Sequence, residues 1–397
     1  MPSAAIDPTR LDERYLVETL VRLLQIPTEV PLGANTLMEP DDPKLVHYVQ
    51  AVIRPELRRL GVPTVLEAPR NQLVARLGRG ASPEALLIQV YTPTQHANFM
   101  ADPFSGRIAV PPGGAGPAAY GQGASQNKAH MAAVLAVLKL LVESRVDLSG
   151  TLYVAVNNEG RSSHACTEAI LSVLDPAPRH AILAIGTGMQ ITAGNRGRVD
   201  IHVRVRGKAC HSSDPTSGLS AIDGVHEVMT RLRRLEFGAP HPLLGPQALI
   251  VYQITYDPLA PHTLPGSALM KLDRRLLPGE DVDEAVSEVR DALADVKPWT
   301  IQVERDVFMR PALVDESVPV VRALRTAGQR VLDRAVPVVY PRSCFDAGGL
   351  TSAGIPAVMF GASGGGGDIV YGDDWVALAD VIQEARILAV AIGELVG

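Results

Sequence analysis

The chain has no run of about 18 apolar residues, the least that a bilayer-crossing helix needs, so no membrane span is expected. It has no basic tract. Its net charge is −6 with acids and bases mixed throughout, which argues against a nucleic-acid or lipid-surface partner. The opening MPSAAIDPTRLDERYLVETL lacks the basic-then-apolar pattern of a secretory signal. Cysteine is scarce. Three widely separated residues, Cys166, Cys210 and Cys344, cannot all pair, and a reducing cytoplasm is the expected location. For any one of them a small buried hydrophobe is favoured over a catalytic thiol. The Gly-rich stretches at 113–116 and 361–367 lack the strand–glycine–helix pattern of a phosphate cradle, so neither is read as a nucleotide site.

What is present is ample apolar material, 46% of 397 residues, enough for two domains with one set inside the other. Residues 11–25 have helical periodicity, with Leu16, Leu20, Leu23 and Leu24 on one face and Pro27 as the stop. A second helix is expected over 43–60, kinked or broken at Pro55. Strands at 73–77 and 85–90, a helix at 127–143, a strand at 151–156, a helix at 167–173 and a strand at 181–185 alternate in the manner of a mostly parallel α/β sheet with helices on both faces. From about Gly194 the style changes. Residues 199–206 (VDIHVRVR) alternate apolar and charged, and the order β-α-β-β-α-β that follows suggests a ferredoxin-like α+β insert. The α/β style returns with a helix at 318–332, strands at 338–340 and 357–360 and a helix at 375–395. The expected division is therefore 1–193 and 306–397 for the larger domain and 194–305 for the insert.

Several short motifs recur in a telling order: Gln25-Ile26-Pro27, Asp102-Pro103-Phe104, Gly121-Gln122-Gly123-Ala124 with Lys128, Gly207-Lys208-Ala209-Cys210-His211-Ser212-Ser213, Arg275-Leu276-Leu277-Pro278-Gly279, Asp346 and Gly354-Ile355-Pro356. With this order and spacing the chain resembles the M20 metallopeptidase and deacylase family, which includes acetylornithine deacetylase, succinyl-diaminopimelate desuccinylase and carboxypeptidase G. The resemblance implies a two-zinc amidohydrolase site on the larger domain and an inserted lid that makes a homodimer. The alternating strand 199–206 is expected to pair edge to edge with its copy.

The zinc positions that the resemblance implies read differently here. The first ligand, a His after a strand, corresponds to Tyr91 in Tyr91-Thr92-Pro93. The bridging Asp corresponds to Gln126. The acidic pair, a general base followed by a ligand, corresponds to Asn158 and Glu159. The fourth ligand corresponds to Thr187 and the last, a His, to Tyr371. Two ions lower the pKa of a shared water and polarise the scissile carbonyl, and a carboxylate takes the proton. An amide does not bridge two cations as a carboxylate does, and a neutral phenol is a poor zinc ligand. One carboxylate in five ligand positions leads to the expectation of no metal cofactor. A rebuilt site would have to recruit Glu159 with two of His96, His130 and His164.

The substrate side survives. By the resemblance, His211 reaches the partner subunit's active site and steadies an oxyanion. Arg275 corresponds to an Arg that grips a substrate carboxylate bidentately, with an ion pair to Asp273 or Glu280 as its structural alternative. His262 stands where an Asn is usual. Lys128 is either a substrate contact or a helix-start cation in an ion pair. Three readings stay open: a metal-independent enzyme acting on a small amide- or acyl-amino-acid-like substrate through Glu159, Tyr91, Tyr371, His211 and Asn158; an amidohydrolase with a rebuilt metal site; and a non-catalytic protein that binds such a ligand or a partner subunit.

Overall fold

A computed structural model describes residues 6–30, 38–94, 99–114, 116–158, 163–364 and 372–397. The candidates His96, Glu159 and Tyr371 lie outside these. The chain forms two compact units: Met1–Gly194 with Leu313–Val339 and Gly349–Gly397, and Asn195–Ala312 with Tyr340–Gly348. The sequence reading leaves 340–348 with the larger domain. Its backbone instead packs on the insert: a Cβ added to Gly348 would collide with the Arg310 carbonyl oxygen, and Asn195 Nδ2 donates to the Phe345 carbonyl at 3.4 Å.

The larger unit is built on an eight-stranded sheet in the order Thr64–Ala68, Gln72–Leu77, Thr151–Asn157, Ala85–Tyr91, His180–Ala184, Ala357–Phe360, Ile191–Thr192, Val338–Val339. The three central pairings are parallel, and the Thr64–Ala68 and Gln72–Leu77 strands add on antiparallel. Every residue of Ala85–Tyr91 and Thr151–Asn157 is buried. Near-continuous apolar runs do this in a sheet covered on both faces. Helices Glu13–Leu24, Ala129–Glu143, Pro319–Leu332 and Leu378–Val396 pack with the sheet and with each other.

Two expectations about helices need correcting. Pro55 does not break the second helix. Residues His47–Ile53 widen into π-helical turns, Arg54 N–H bonds the Val49 carbonyl five residues back, and Arg54–Arg59 continues as α-helix. The wider turn absorbs a residue that has no N–H to give. At the C-terminus Trp375–Ala377 is a strand, paired with Ala118–Tyr120, and the helix begins at Leu378. Pairing with a distant strand overrides the local helical pattern there.

The insert is a four-stranded antiparallel sheet in the order Ala248–Asp257, Ser267–Leu276, Gly197–Arg206, Thr300–Met309, with helices Ala221–Leu232 and Val282–Ala292 supplying the apolar cover. Val199, Ile201, Val203 and Val205 are fully buried beneath those helices, while Arg198, Asp200, His202 and Arg204 face the other way. The strand predicted to pair edge to edge is interior: Gly197–Arg206 bonds strands on both sides. Its alternation reflects one helix-covered face and one polar face. The edges belong to Ala248–Asp257 and Thr300–Met309.

One buried, hydrogen-bonded pair ties the helices of the larger unit to its core. His130 Nδ1 lies 2.9 and 3.0 Å from the two Glu384 carboxylate oxygens, and both side chains are fully buried. The Ala362 N–H also donates to Glu384. Removing one member of a buried pair strands the other. Glu384→Ala is therefore expected to cost about 3–5 kcal/mol in chemical denaturation. Glu18→Ala, at the exposed Arg14–Glu18 pair, should leave the midpoint unchanged.

Candidate functional site

The parallel strands of the larger unit end together, and the chain segments that follow them carry the candidate residues. Tyr91 closes its strand opposite Asn157. Below this end lies a buried polar network. Gln89 Nε2 donates to Tyr91 Oη at 3.1 Å and to Thr167 Oγ1 at 3.3 Å, and Asn157 Nδ2 donates to Thr167 Oγ1 at 3.3 Å. Alternation along a strand puts Gln89 and Tyr91 on one face, so the phenol is anchored from its own strand. Gln89 is legible as the one polar residue inside an apolar strand.

Asn158 is fully buried and its carboxamide is in use on both sides. Thr92 Oγ1 donates to its oxygen, and its nitrogen donates to the carbonyls of Arg70 (3.2 Å) and Asn71. Arg70 and Asn71 both have positive φ, 66° and 57°, which forms the turn carrying those two carbonyls. A carboxylate could not be held this way, because it has no proton to give the carbonyls. At this position the chain is built for an amide.

Gln126 sits half-buried in the turn Ala124–Lys128 ahead of helix Ala129–Glu143. That turn begins at Gly123, φ 88°, where a Cβ would meet Thr94 Oγ1 at 2.6 Å and Asn127 Oδ1 at 2.7 Å, so only glycine fits. Buried Asp374 accepts from Gly123 N (2.7 Å), Ser125 N (3.0 Å) and Ser125 Oγ (2.7 Å). Burial pushes its carboxyl upward in pKa, and the bonds from Ser125, Gly123 and Ala124 oppose this. Asp374 thus caps the turn from the far end of the chain, a role with no local signal. Thr187, after strand His180–Ala184, donates to the Gln190 carbonyl at 2.6 Å and accepts from Gly361 N at 3.1 Å. Gly186 lies against the turn, its Cβ position 2.6 Å from the Ser125 carbonyl oxygen. Tyr91, Asn158, Gln126 and Thr187 therefore all lie in segments that follow the strand ends or face them.

His130 and His164 do not face an open cleft. Both are fully buried, and His130 has Nδ1 on Glu384 and Nε2 3.4 Å from the Ser125 carbonyl. Among the described residues no three His, Cys, Asp or Glu side chains gather with metal-holding geometry.

In the insert, His211 pairs opposite Thr263 and is exposed, its Nδ1 bonded to Ser213 Oγ at 2.8 Å. The rings of His211 and His262 lie 6.5 Å apart, and the Ser212 N–H donates to the His262 carbonyl. Those two candidates are brought together. Arg275, further along the sheet, holds Asp273 Oδ2 at 2.7 Å.

Among the described residues Lys128 has no ion-pair partner, and it does not lie on a surface. It is fully buried, its ammonium donating to the carbonyls of Leu23 (3.0 Å) and Ile26 at the end of helix Glu13–Leu24. A cation there meets the negative end of the helix and its orphan carbonyls. Burial pulls its pKa down from 10.5 to about 7, against the upward pull of Glu29 and Asp374. Between those two values the unfolded chain binds the proton and the folded one does not, so stability rises with pH. Wild type should gain stability relative to Lys128→Met as pH climbs from about 7 towards 10.5, read by urea denaturation across that range. A pH-independent difference would place the lysine charge elsewhere.

Comparison with known proteins meets this geometry at both units. Residues 193–301 match the peptidase dimerisation domain of the M20 family. The protein YgeY of Escherichia coli (strain K12) is 25% identical over 81% of this chain and 82% of its own length. The acetylornithine deacetylase of Aliivibrio salmonicida is 27% identical, over 47% of this chain and 50% of its own. Among solved structures, the M20 family metallo-carboxypeptidase of Sulfolobus solfataricus superposes with a TM-score of 0.78 at 16% identity, covering 96% of this chain and 98% of that one. A tripeptidase of Staphylococcus aureus reaches 0.76 at 16% identity, covering 96% and 98%. The inserted unit thus carries a dimerisation domain of the M20 peptidase kind, and the fold of the whole chain is that of solved M20 peptidases.

Proposed function

We propose that this M20 protein acts on a small amide- or acyl-amino-acid-like substrate without a two-zinc centre. The observation that carries the reading is the clamped carboxamide of Asn158, where the resemblance puts the general base. Of the implied ligand positions, those among the described residues are Tyr91, Gln126 and Thr187, all neutral donors. Such a set does not fit a pair of divalent cations, which need carboxylate or imidazole ligands. No chemical step is therefore routed through a metal.

In this reading the Tyr91 phenol, held by Gln89, donates to the substrate carbonyl, and Glu159 moves the proton between water and leaving amine. His211 steadies the developing oxyanion, and Arg275, exchanging its Asp273 partner for the substrate, binds the carboxylate end with His262, with Gln126 and Thr187 as further polar contacts. By the resemblance, Tyr371 would supply a second phenol. A ligand-binding protein without turnover is the second reading, favoured by the same unavailability of Asn158 as a base. A cytoplasmic location accords with there being, among the described residues, no helix long and apolar enough to cross a membrane.

Elemental analysis of purified protein should find no stoichiometric zinc. A screen of N-acyl and N-carbamoyl amino acids should give turnover that chelator does not reduce and that Glu159→Gln abolishes. Two tightly bound zinc ions per chain would sink the reading. Saturable binding with no turnover would select the second one.

We further assign the protein as a homodimer through the edge strand Ala248–Asp257. Ile250, Tyr252, Ile254 and Tyr256 are 45–59% exposed along it. An apolar edge of this kind is an aggregation liability unless it is covered, and a second copy in antiparallel register would cover it. Sedimentation equilibrium should show wild type at twice the chain mass and Tyr252→Lys/Ile254→Lys as monomer. An unchanged mass in the double variant would refute the interface.

A further inference from the structure

We propose that Arg196 and Arg342 of the inserted unit form an anion-binding site, closed on one side by the bare α-carbon of Gly245, that takes a carboxylate or phosphate group. Arg196 is 6% exposed, and its Nε donates to the Leu244 carbonyl at 2.7 Å, which fixes the guanidinium plane. Its Nη2 is buried and has no partner among the described residues. A Cβ placed on Gly245 would stand 2.9 Å from Arg196 Nη2, 3.3 Å from Arg342 Nε and 3.4 Å from Arg342 Nη2. Two guanidinium edges therefore converge on one spot, and the Arg342 edge is the Nε/Nη2 fork that grips an oxyanion bidentately. Gly245 has φ 72°, and the turn before it is closed by His241–Gly245 backbone bonds in both directions. His241 Nδ1 accepts from Leu243 N and Leu244 N, which fixes the Leu244 peptide next to Arg196.

The charges acting on Arg196 are cationic, Arg342 and Arg275, and together with burial they lower its pKa. Other arginines of the same unit are satisfied internally. Arg274, 1% exposed at its side chain, lies 3.1 Å from both Glu280 and Glu288, and Arg275 holds Asp273. A buried cation left facing another cation is costly unless an anion joins them. The geometry thus brings three guanidinium nitrogens to one spot in a net positive field, and among the described residues no acid pairs with them.

The inference does not depend on the reaction proposed above, because binding is measured without turnover. The full-length protein is titrated by calorimetry and thermal shift at fixed ionic strength with inorganic phosphate and, separately, with acetate. At least one anion should bind saturably and raise the melting temperature, and the tighter of the two identifies the group the site prefers. Arg342 is exposed, so its replacement should spare the fold. Arg342→Gln should weaken binding by about tenfold or more, the loss expected for one charge-assisted fork. Arg342→Glu, which supplies a carboxylate internally, should raise the melting temperature in anion-free buffer and abolish the response. No saturable response to either anion, or an Arg342→Gln response equal to wild type, would overturn the site.

Discussion

Two buried ionisable side chains, one acid and one amine, hold the turn around which the larger unit is arranged. Asp374 takes the amides at the start of the turn Ala124–Lys128, and Lys128, at its end, gives its ammonium to the last carbonyls of helix Glu13–Leu24. Each side chain answers orphan backbone groups that burial would otherwise leave unpaired. The turn connects the first helix, the strand-end segments and the C-terminal segment, so the position of Gln126 follows from this arrangement. The His130–Glu384 pair adds a second anchor one helical turn along, bonded to the Ala362 N–H and close to the Ser125 carbonyl.

The strand-end region is polar but mostly neutral. Its amides and hydroxyls satisfy each other through directional bonds: Gln89 to Tyr91, Asn157 to Thr167, Thr92 to Asn158. Such a network is stable without any ion, because no like charges crowd together. A carboxylate-rich site of the same shape would need cations to offset its mutual repulsion. The amide of Asn158 and the turn at Arg70–Asn71 that receives its N–H groups belong together: one without the other would leave a buried donor or acceptor unmatched.

Much of this was readable in advance, for physical reasons. The fully apolar stretch at 85–90 could only be a covered strand, and the alternation at 199–206 could only be a strand with two unlike faces. Motif order along the chain was enough to expect an M20 scaffold. The site was less legible. Asn158 was visible as a substitution, yet its partners are a threonine and two carbonyls that sit 66 to 88 residues away. The sequence offers Lys128 as a substrate contact or as a helix-start cation in an ion pair, and its partners in the structure, backbone carbonyls 102 to 105 residues earlier, leave no trace in composition. The alternation at 199–206 marks no edge, because period two reports that two faces differ, not that an edge is free.

The amino-acid sequence by itself determined the periodicities, hence the elements, the inserted α+β unit and the neutral residue types at Tyr91, Gln126, Asn158 and Thr187. These depend on residue type and near neighbours alone. Only the tertiary structure decided which strand became the sheet edge, which buried charges found partners, and that Arg196 and Arg342 meet over Gly245. Those outcomes are set by contacts between distant parts of the chain, and the side chains involved are satisfied or stranded according to what the fold brings within hydrogen-bond reach.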